Sequence, residues 1–395
     1  MKRILLAWEL GGGYGHVAIM RGVAQALREL GHECVFAVRE LRPAEEYLPP
    51  ELGTVLQAPR TPIQARSPVR IQTSYASLLH NTGFDDPIDL AGRLRAWIGL
   101  LRASRIDAVL ANHAPVALLA ARAVGLPRGQ FGASFVIPPQ ASPFPGFQPQ
   151  LQVKDSVLRH NEAEVLRALN QALERLRLSP LEKLQQIFED CHTRIFGYPE
   201  LDAYGAASRE TGAHMGIADQ SYGEVPQWPA MPGPRVLAYL RPFAHLDALM
   251  QALQASRLNL LVRISDMSPD KLRAFERPGL TITGRSIHLR QAAEACDAMV
   301  HYGPDGTTAE MLLAGKPGLL VPLDVEKVLL TGRAQQLGAV LASGSNDPRQ
   351  IGQLLERLVE DQDLRRNAEA FAARHRGQDR NAILPAYARD FSRSL

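Results

Sequence analysis

The sequence predicts an α/β protein built of two Rossmann-like domains, parallel sheets with helices on both faces, facing a central cleft. Three observations predict it. The chain has 395 residues, more than one hydrophobic core usually serves. Its first forty residues read as strand, glycine loop, helix and strand. A second alternating series of strands and helices restarts after a proline-rich segment at 223–234.

The elements follow from the pattern in order. Residues 3–7 form a short apolar run, a buried strand. After Gly11-Gly12-Gly13-Tyr14-Gly15-His16, residues 17–30 place Ile19, Val23, Ala26, Leu27 and Leu30 at helical spacing. Gly31 stops that helix and 33–38 is a second strand. A further unit reads strand at 107–110, helix at 115–124 and strand at 129–135. Residues 138–149 are a proline-rich loop, and 155–178 and 180–190 are amphipathic helices.

Residues 223–234 carry four prolines and two glycines, the composition of a linker. Strands are then expected at 235–240, 259–264, 280–283, 298–301 and 318–321. Helices are expected at 245–254, 288–295, 307–314, 328–337, 348–360 and 363–374. The domains are therefore an N-terminal one over 1–222 and a C-terminal one over 235–380, with 223–234 between them. The last segment, 381–395, is a helix expected to cross back onto the first domain.

Composition narrows the class of function. Hydrophobic residues make up 46% and charged residues 22%, the globular norm, which excludes extended disorder. Only 6% are aromatic and the net charge is +3 from 44 basic and 41 acidic residues. Neither favours nucleic acid as a partner. Cys34, Cys191 and Cys296 match no metal or redox spacing. No secretory leader and no apolar run of about 20 residues is visible, so the expected setting is cytoplasmic and soluble, with at most peripheral membrane contact.

Two motifs carry chemistry. The first is the glycine loop ending in His16. Glycines between a strand and a helix let the backbone approach a ligand, and a helix N-terminus favours anions. The spacing is not the dinucleotide fingerprint, and Glu40 is the only acidic residue near the end of the next strand. A helix N-terminus keeps the imidazole neutral, which suits His16 to general-base work. The second is Ala298-Met299-Val300-His301-Tyr302-Gly303-Pro304-Asp305-Gly306-Thr307-Thr308-Ala309-Glu310. Gly303, Gly306 and Thr307 fall where a strand becomes a helix, so amides and a hydroxyl are placed for a diphosphate. Glu310, one turn later, is placed for a ribose diol.

With Gly15-His16, Gly31-His32, the segment Pro199-Glu200-Leu201-Asp202-Ala203-Tyr204-Gly205, Gly306-Thr307, Glu310, Gly315-Lys316-Pro317, Pro322, Glu326-Lys327 and Leu337-Gly338, the chain resembles the GT-B glycosyltransferases. It is closest to the UDP-glycosyltransferase-like group, and more distantly similar to the peptidoglycan N-acetylglucosaminyltransferase. The resemblance spans nearly the whole chain. It implies an inverting, metal-independent transfer of a sugar from a nucleoside diphosphate to an acceptor hydroxyl or amine, with no cofactor. The acceptor is a small molecule or a lipid, and the enzyme a monomer or homodimer.

By the resemblance His16 deprotonates the acceptor, and Gly13, Gly15, Gly303, Gly306 and Thr307 meet the donor. Glu310 holds the ribose, Arg241 adds a phosphate contact, and the backbone at Ser286 and Ile287 frames the base. Three departures stand out. The phosphate-contacting histidine falls on Tyr302, with His301 one place early. The acidic-Gln pair that meets the donor sugar is Glu326-Lys327, a lysine suited to an acidic sugar or to solvent. The aspartate that orients the N-terminal histidine aligns with Asn112, with His113 as an alternative partner. These departures leave open a homologue that binds nucleotide sugars without catalysis and, further off, a nucleotide-sugar epimerase. The acceptor would be met by the loops at 60–86 and 138–149.

Overall fold

The computed structural model describes residues 1–60, 65, 67–147, 153–219 and 222–395. The chain falls into two compact units. The first comprises Met1–Gly197, Tyr204–Ala218 and Asn381–Leu395; the second comprises Tyr198–Ala203 and Asp219–Arg380.

In the first unit the strands are β1 (Arg3–Ala7), β2 (Glu33–Val38), β3 (Thr54–Gln57), β4 (Ala108–Ala111), β5 (Arg128–Gly132) and β6 (His192–Ile195). They pair in parallel in the order β3-β2-β1-β4-β5-β6. Its helices are α1 (Tyr14–Glu29), α2 (Leu41–Tyr47), α3 (Tyr75–Leu79), α4 (Pro87–Ala103), α5 (Pro115–Ala123) and α6 (Asp155–Arg175). Helix α1 buries Val17, Met20, Val23, Ala24 and Leu27 against the sheet. It ends where the Gly31 amide donates to Arg28 O and the His32 amide to Leu27 O, the paired bonds of a Schellman cap.

The second unit repeats the plan with β7 (Arg235–Leu240), β8 (Asn259–Ile264), β9 (Leu280–Thr283), β10 (Ala298–His301), β11 (Gly318–Leu320) and β12 (Val340–Ala342). The order is β12-β11-β10-β7-β8-β9, again all parallel. Its helices are α7 (Leu246–Ala255), α8 (Pro269–Arg273), α9 (Leu289–Ala295), α10 (Asp305–Leu313), α11 (Val325–Gln336), α12 (Pro348–Glu360) and α13 (Gln362–His375). Helix α14 (Ile383–Arg393) belongs to the first unit, where Ile383, Tyr387, Ala388 and Phe391 enter its core with Val23, Phe131 and Phe196.

Both sheets reverse strand order beside their first strand, between β1 and β4 and between β7 and β10. In open α/β sheets ligands bind at the carboxyl ends of strands at that reversal. The topology therefore marks one candidate place in each unit before any side chain is considered.

Several expectations are corrected. Residues 180–190 are not a helix; only Leu184–Ile187 makes a 3₁₀ turn. Side chains compete for the backbone there: Asn170 bonds both the amide and the carbonyl of Leu181, and Gln186 Oε1 accepts from the Glu182 and Lys183 amides. The segment 223–234 is built into the second unit rather than free of both. Glu224 bridges to Ile287, and the Asn259 amide donates to the Pro229 and Met231 carbonyls. The stretch at 199–205 divides between the units, because Tyr198 packs on Phe371 and His375 and Glu200 pairs with Arg374.

Candidate active site

In the first unit the chain leaves β1 at Ala7 and crosses over Trp8 to the glycine loop, which delivers His16 to the third position of α1. Asn112 follows β4, across the strand reversal. The Asn112 amide nitrogen donates to Phe131 O at 2.9 Å, so its Oδ1 faces the histidine and accepts from His16 Nδ1 at 2.5 Å. An amide oxygen only accepts, so Nδ1 carries a proton, and Nε2 is the nitrogen that holds the lone pair when the ring is neutral. The ring is stacked on the buried Trp8 indole at 4.9 Å. His113 is not the orienting partner: its ring centroid is 6.4 Å away, and its carbonyl instead accepts from the Glu9 and Leu10 amides.

Gly11 passes directly over the reactive edge of His16. Its φ is +78°, and a Cβ placed there would lie 2.7 Å from His16 Nε2. Gly11→Ala is expected to cost about 1–2 kcal/mol in backbone strain and to displace the imidazole. The check is kcat, which should fall well beyond what the loss of melting temperature explains. At Gly13 and Gly15 an added Cβ meets nothing within 4 Å, so their backbone faces open space.

Below this loop lies a pair that the sequence reading missed. Glu9 is 1% exposed and Arg93, from α4, 5% exposed, with Arg93 Nη1 3.3 Å from Glu9 Oε1. The other carboxylate oxygen accepts from the Val116 amide at 3.0 Å, at the start of α5. Burial pushes the Glu9 carboxyl up to about 7, against the pull of Arg93 and of the Val116 and Ala117 amides. The signal was present in the sequence as a lone charge between an apolar strand and a glycine loop.

The expected acceptor loops are more internal than anticipated. Residues 61–64, 66 and 148–149, which belong to them, lie outside the described residues. The stretch at 60–86 contains α3. Phe135, Phe144 and Phe147 are all buried, because they pack on Tyr75, Phe188 and Tyr204. Those rings are core, not open wall.

In the second unit, β10 ends at His301 and α10 begins at Asp305. Alternation along the strand decides between His301 and Tyr302. His301 is fully buried, and its Nδ1 accepts from the Gly303 amide at 3.0 Å. Burial depresses it to about 3, so it is neutral. Tyr302 is half-buried and turned to Arg241, whose guanidinium lies 6.0 Å from the ring centre. The Gly303 amide is thus engaged within the loop. The first turn of α10, with exposed Gly306 and buried Thr307, has no side-chain cap. Its Asp305 carboxyl is pushed up to about 7 by burial, with Glu326 and Asp202 adding to the effect.

Glu310 occupies α10 as anticipated but has a partner that was not foreseen. Both of its oxygens are engaged by the Arg380 guanidinium. Lys327 Nζ lies 2.8 Å from Glu326 and 3.7 Å from Asp324. Burial works against that ammonium, but the two carboxylates keep it protonated. Its charge is answered within α11 and its cap, which removes the reason to expect an acidic donor sugar. The Glu224 bridge takes the Ser286 carbonyl and the His288 amide, so the backbone groups of Ile287 point the other way. Among the described residues no group of three or more His, Cys, Asp or Glu is arranged to hold a metal ion. No helix among them is long and apolar enough to cross a membrane.

No protein-family profile and no curated protein matches the chain in sequence. Solved structures do match in shape. The glycosyltransferase VinC in complex with dTDP superposes with a TM-score of 0.68 at 16% identity, covering 99% of this chain and 100% of that one. The fold is that of the GT-B glycosyltransferases. The GT-B glycosyltransferase SnogD from Streptomyces nogalater gives 0.62 at 19% identity over 100% and 99% of the chains. Spinosyn rhamnosyltransferase SpnG complexed with spinosyn aglycone gives 0.66 at 14% identity over 99% and 100%. At such identities the likeness establishes the GT-B fold, and the residues must argue the chemistry.

Proposed function

We propose that this chain is an inverting, metal-independent glycosyltransferase. It moves a sugar from a nucleoside diphosphate to a hydroxyl of a small-molecule acceptor. The observation that carries the reading is the His16–Asn112 hydrogen bond, which makes Nδ1 the donor and so Nε2 the basic nitrogen of the neutral ring, at a helix N-terminus. A base in that state takes the acceptor proton as the oxygen attacks the anomeric carbon from the side opposite the diphosphate, inverting it. The second unit binds the donor at the β7/β10 reversal, with Gly306 and Thr307 at the α10 terminus, Tyr302 and Arg241 beside it, and the Ile287 backbone on the base. The dTDP in VinC and the aglycone in SpnG support a dTDP- or UDP-sugar and an aglycone acceptor.

The test is a panel of UDP-, dTDP- and GDP-sugars against aglycone acceptors, with product configuration read by NMR in the presence and absence of EDTA. Transfer with inverted configuration in EDTA is expected. Turnover of no donor, retained configuration, or strict metal dependence would each overturn the corresponding part. A second reading, a nucleotide-sugar-binding protein without catalysis, draws on the engagement of Glu310 by Arg380. It requires donor binding in calorimetry with no product formed.

A further inference from the structure

The donor reading leaves unexplained a buried cation at the carboxyl end of the second sheet. In register across three strands stand Arg263 of β8, Tyr239 of β7 and His301 of β10. Their side chains share one face beside the strand reversal. Arg263 is 6% exposed and its guanidinium lies 4.8 Å over the Tyr239 ring. Among the described residues Arg263 makes no hydrogen bond and no ion pair, and its buried Nε has no partner. The Nε2 of His301, fully buried, also has none. A guanidinium largely withdrawn from water, with its Nε buried and no counter-ion, is costly to fold around. An aromatic face and a neutral imidazole answer only part of that charge.

The neighbouring charges do not supply the missing anion. Arg241, Arg263 and Lys327 all act on the Tyr302 phenol, and the one acid that does, Glu326, is paired with Lys327. The groups that act on Asp305 are Glu326, Asp202 and Lys327; neither arginine is among them. Asp305 thus lies among Glu326, Asp202 and Lys327, whereas Tyr302 also feels both arginines. Its helix end is also poorer in donors than the motif suggests. The Gly303 amide is spent on His301, Pro304 has no amide hydrogen, and Asp305 sets a carboxyl in the first turn.

We propose that Arg263, together with Arg241, forms the site that takes the donor's diphosphate. The negative charge is then met by guanidinium side chains rather than chiefly by the α10 terminus. A diphosphate offers the planar fork of Arg263 the paired oxygens that it lacks. The assignment rests on the donor reading for the identity of the ligand, but the anion site itself rests on Arg263.

The experiment is isothermal titration of wild-type protein, R263Q, R263K and R241Q with inorganic pyrophosphate, UDP, dTDP, uridine and thymidine. R263Q is expected to weaken pyrophosphate and the nucleoside diphosphates by at least about tenfold, the scale of a lost charge-assisted hydrogen bond. Nucleoside binding should not change, and R241Q should show a smaller loss. Undiminished diphosphate affinity in R263Q with native circular dichroism overturns the proposal, as does an equal loss for the uncharged nucleosides. Should R263Q fail to fold, R263K carries the test, and an affinity unchanged from wild type overturns it. Pyrophosphate bound through Arg263 with no nucleotide bound would remove the donor reading and leave the anion site. Nucleotide binding indifferent to Arg263 would do the reverse.

Discussion

Replacing His16 by alanine is expected to lower kcat by about 10²- to 10⁴-fold, the usual contribution of a positioned general base, with little change in melting temperature. The side chain is only half-buried, with the Trp8 face and Asn112 among its contacts, so its removal opens no large cavity. Donor affinity should be preserved, because the proposed diphosphate site is built from residues of the second unit. The companion change Asn112→Asp tests the role of the amide. A carboxylate beside Nδ1 stabilises the imidazolium and raises its pKa. The acid limb of the kcat/KM profile should therefore move to higher pH, since the base is active only when deprotonated. Equal, measurable turnover in wild type and His16→Ala would remove the base from the mechanism, whereas donor binding with no turnover in either would leave the binding-protein reading.

The second large effect is on stability. Arg93→Met leaves Glu9 buried with its cation gone, a change that typically costs about 3–5 kcal/mol. Its pH dependence gives the expectation a sign. Glu9 is raised from the ordinary 4.5 to about 7 in the folded protein, so the folded state holds this proton where the unfolded chain has lost it. Its ionisation weakens folding progressively between about pH 4.5 and 7, and the full penalty is present above 7. Without Arg93 the folded value rises further, so Arg93→Met should be far more damaging at pH 8 than at pH 5, where the carboxyl is neutral in both proteins. Denaturant midpoints at the two pH values check this. A loss of the same size at both would show that Arg93 acts through its bonds to Asp89 and the Gly83 carbonyl rather than through the charge of Glu9. Because the pair sits beneath the loop that passes over His16, the damage should reach kcat at pH 8 as well.

Much of the fold was legible in the residues. Strands at 3–7, 33–38, 235–240, 259–264, 280–283 and 298–301 were read at the bounds the structure has, because buried parallel strands are short apolar runs closed by turn residues. Helix α12 was read just as well, since Asp347-Pro348 caps it and Ile351, Leu355 and Leu358 mark its face. The helix expected at 180–190 failed because side chains of Asn170 and Gln186 bind its backbone, and hydrophobic periodicity sees neither a partner outside the segment nor a side chain folding back within it. The linker failed for a similar reason. Its prolines do prevent regular structure, but Glu224 ties it to Ile287 and Asn259 of β8 ties it to the second sheet.

For the candidate site, local sequence determined the types of residue and their neighbours in the chain. A glycine loop before a helix, a histidine in its first turn, and a strand-to-helix turn at 301–307 are all properties of consecutive residues. Only the tertiary structure decided their states. It set the tautomer of His16 through a bond to a residue 96 positions away, and turned His301 inward and Tyr302 outward. It gave Glu310 to Arg380, tied Glu9 to Arg93, and left Arg263 buried without a counter-ion. Protonation, tautomer and desolvation depend on which groups meet through space, and those distances are set by packing between strands and helices far apart in sequence.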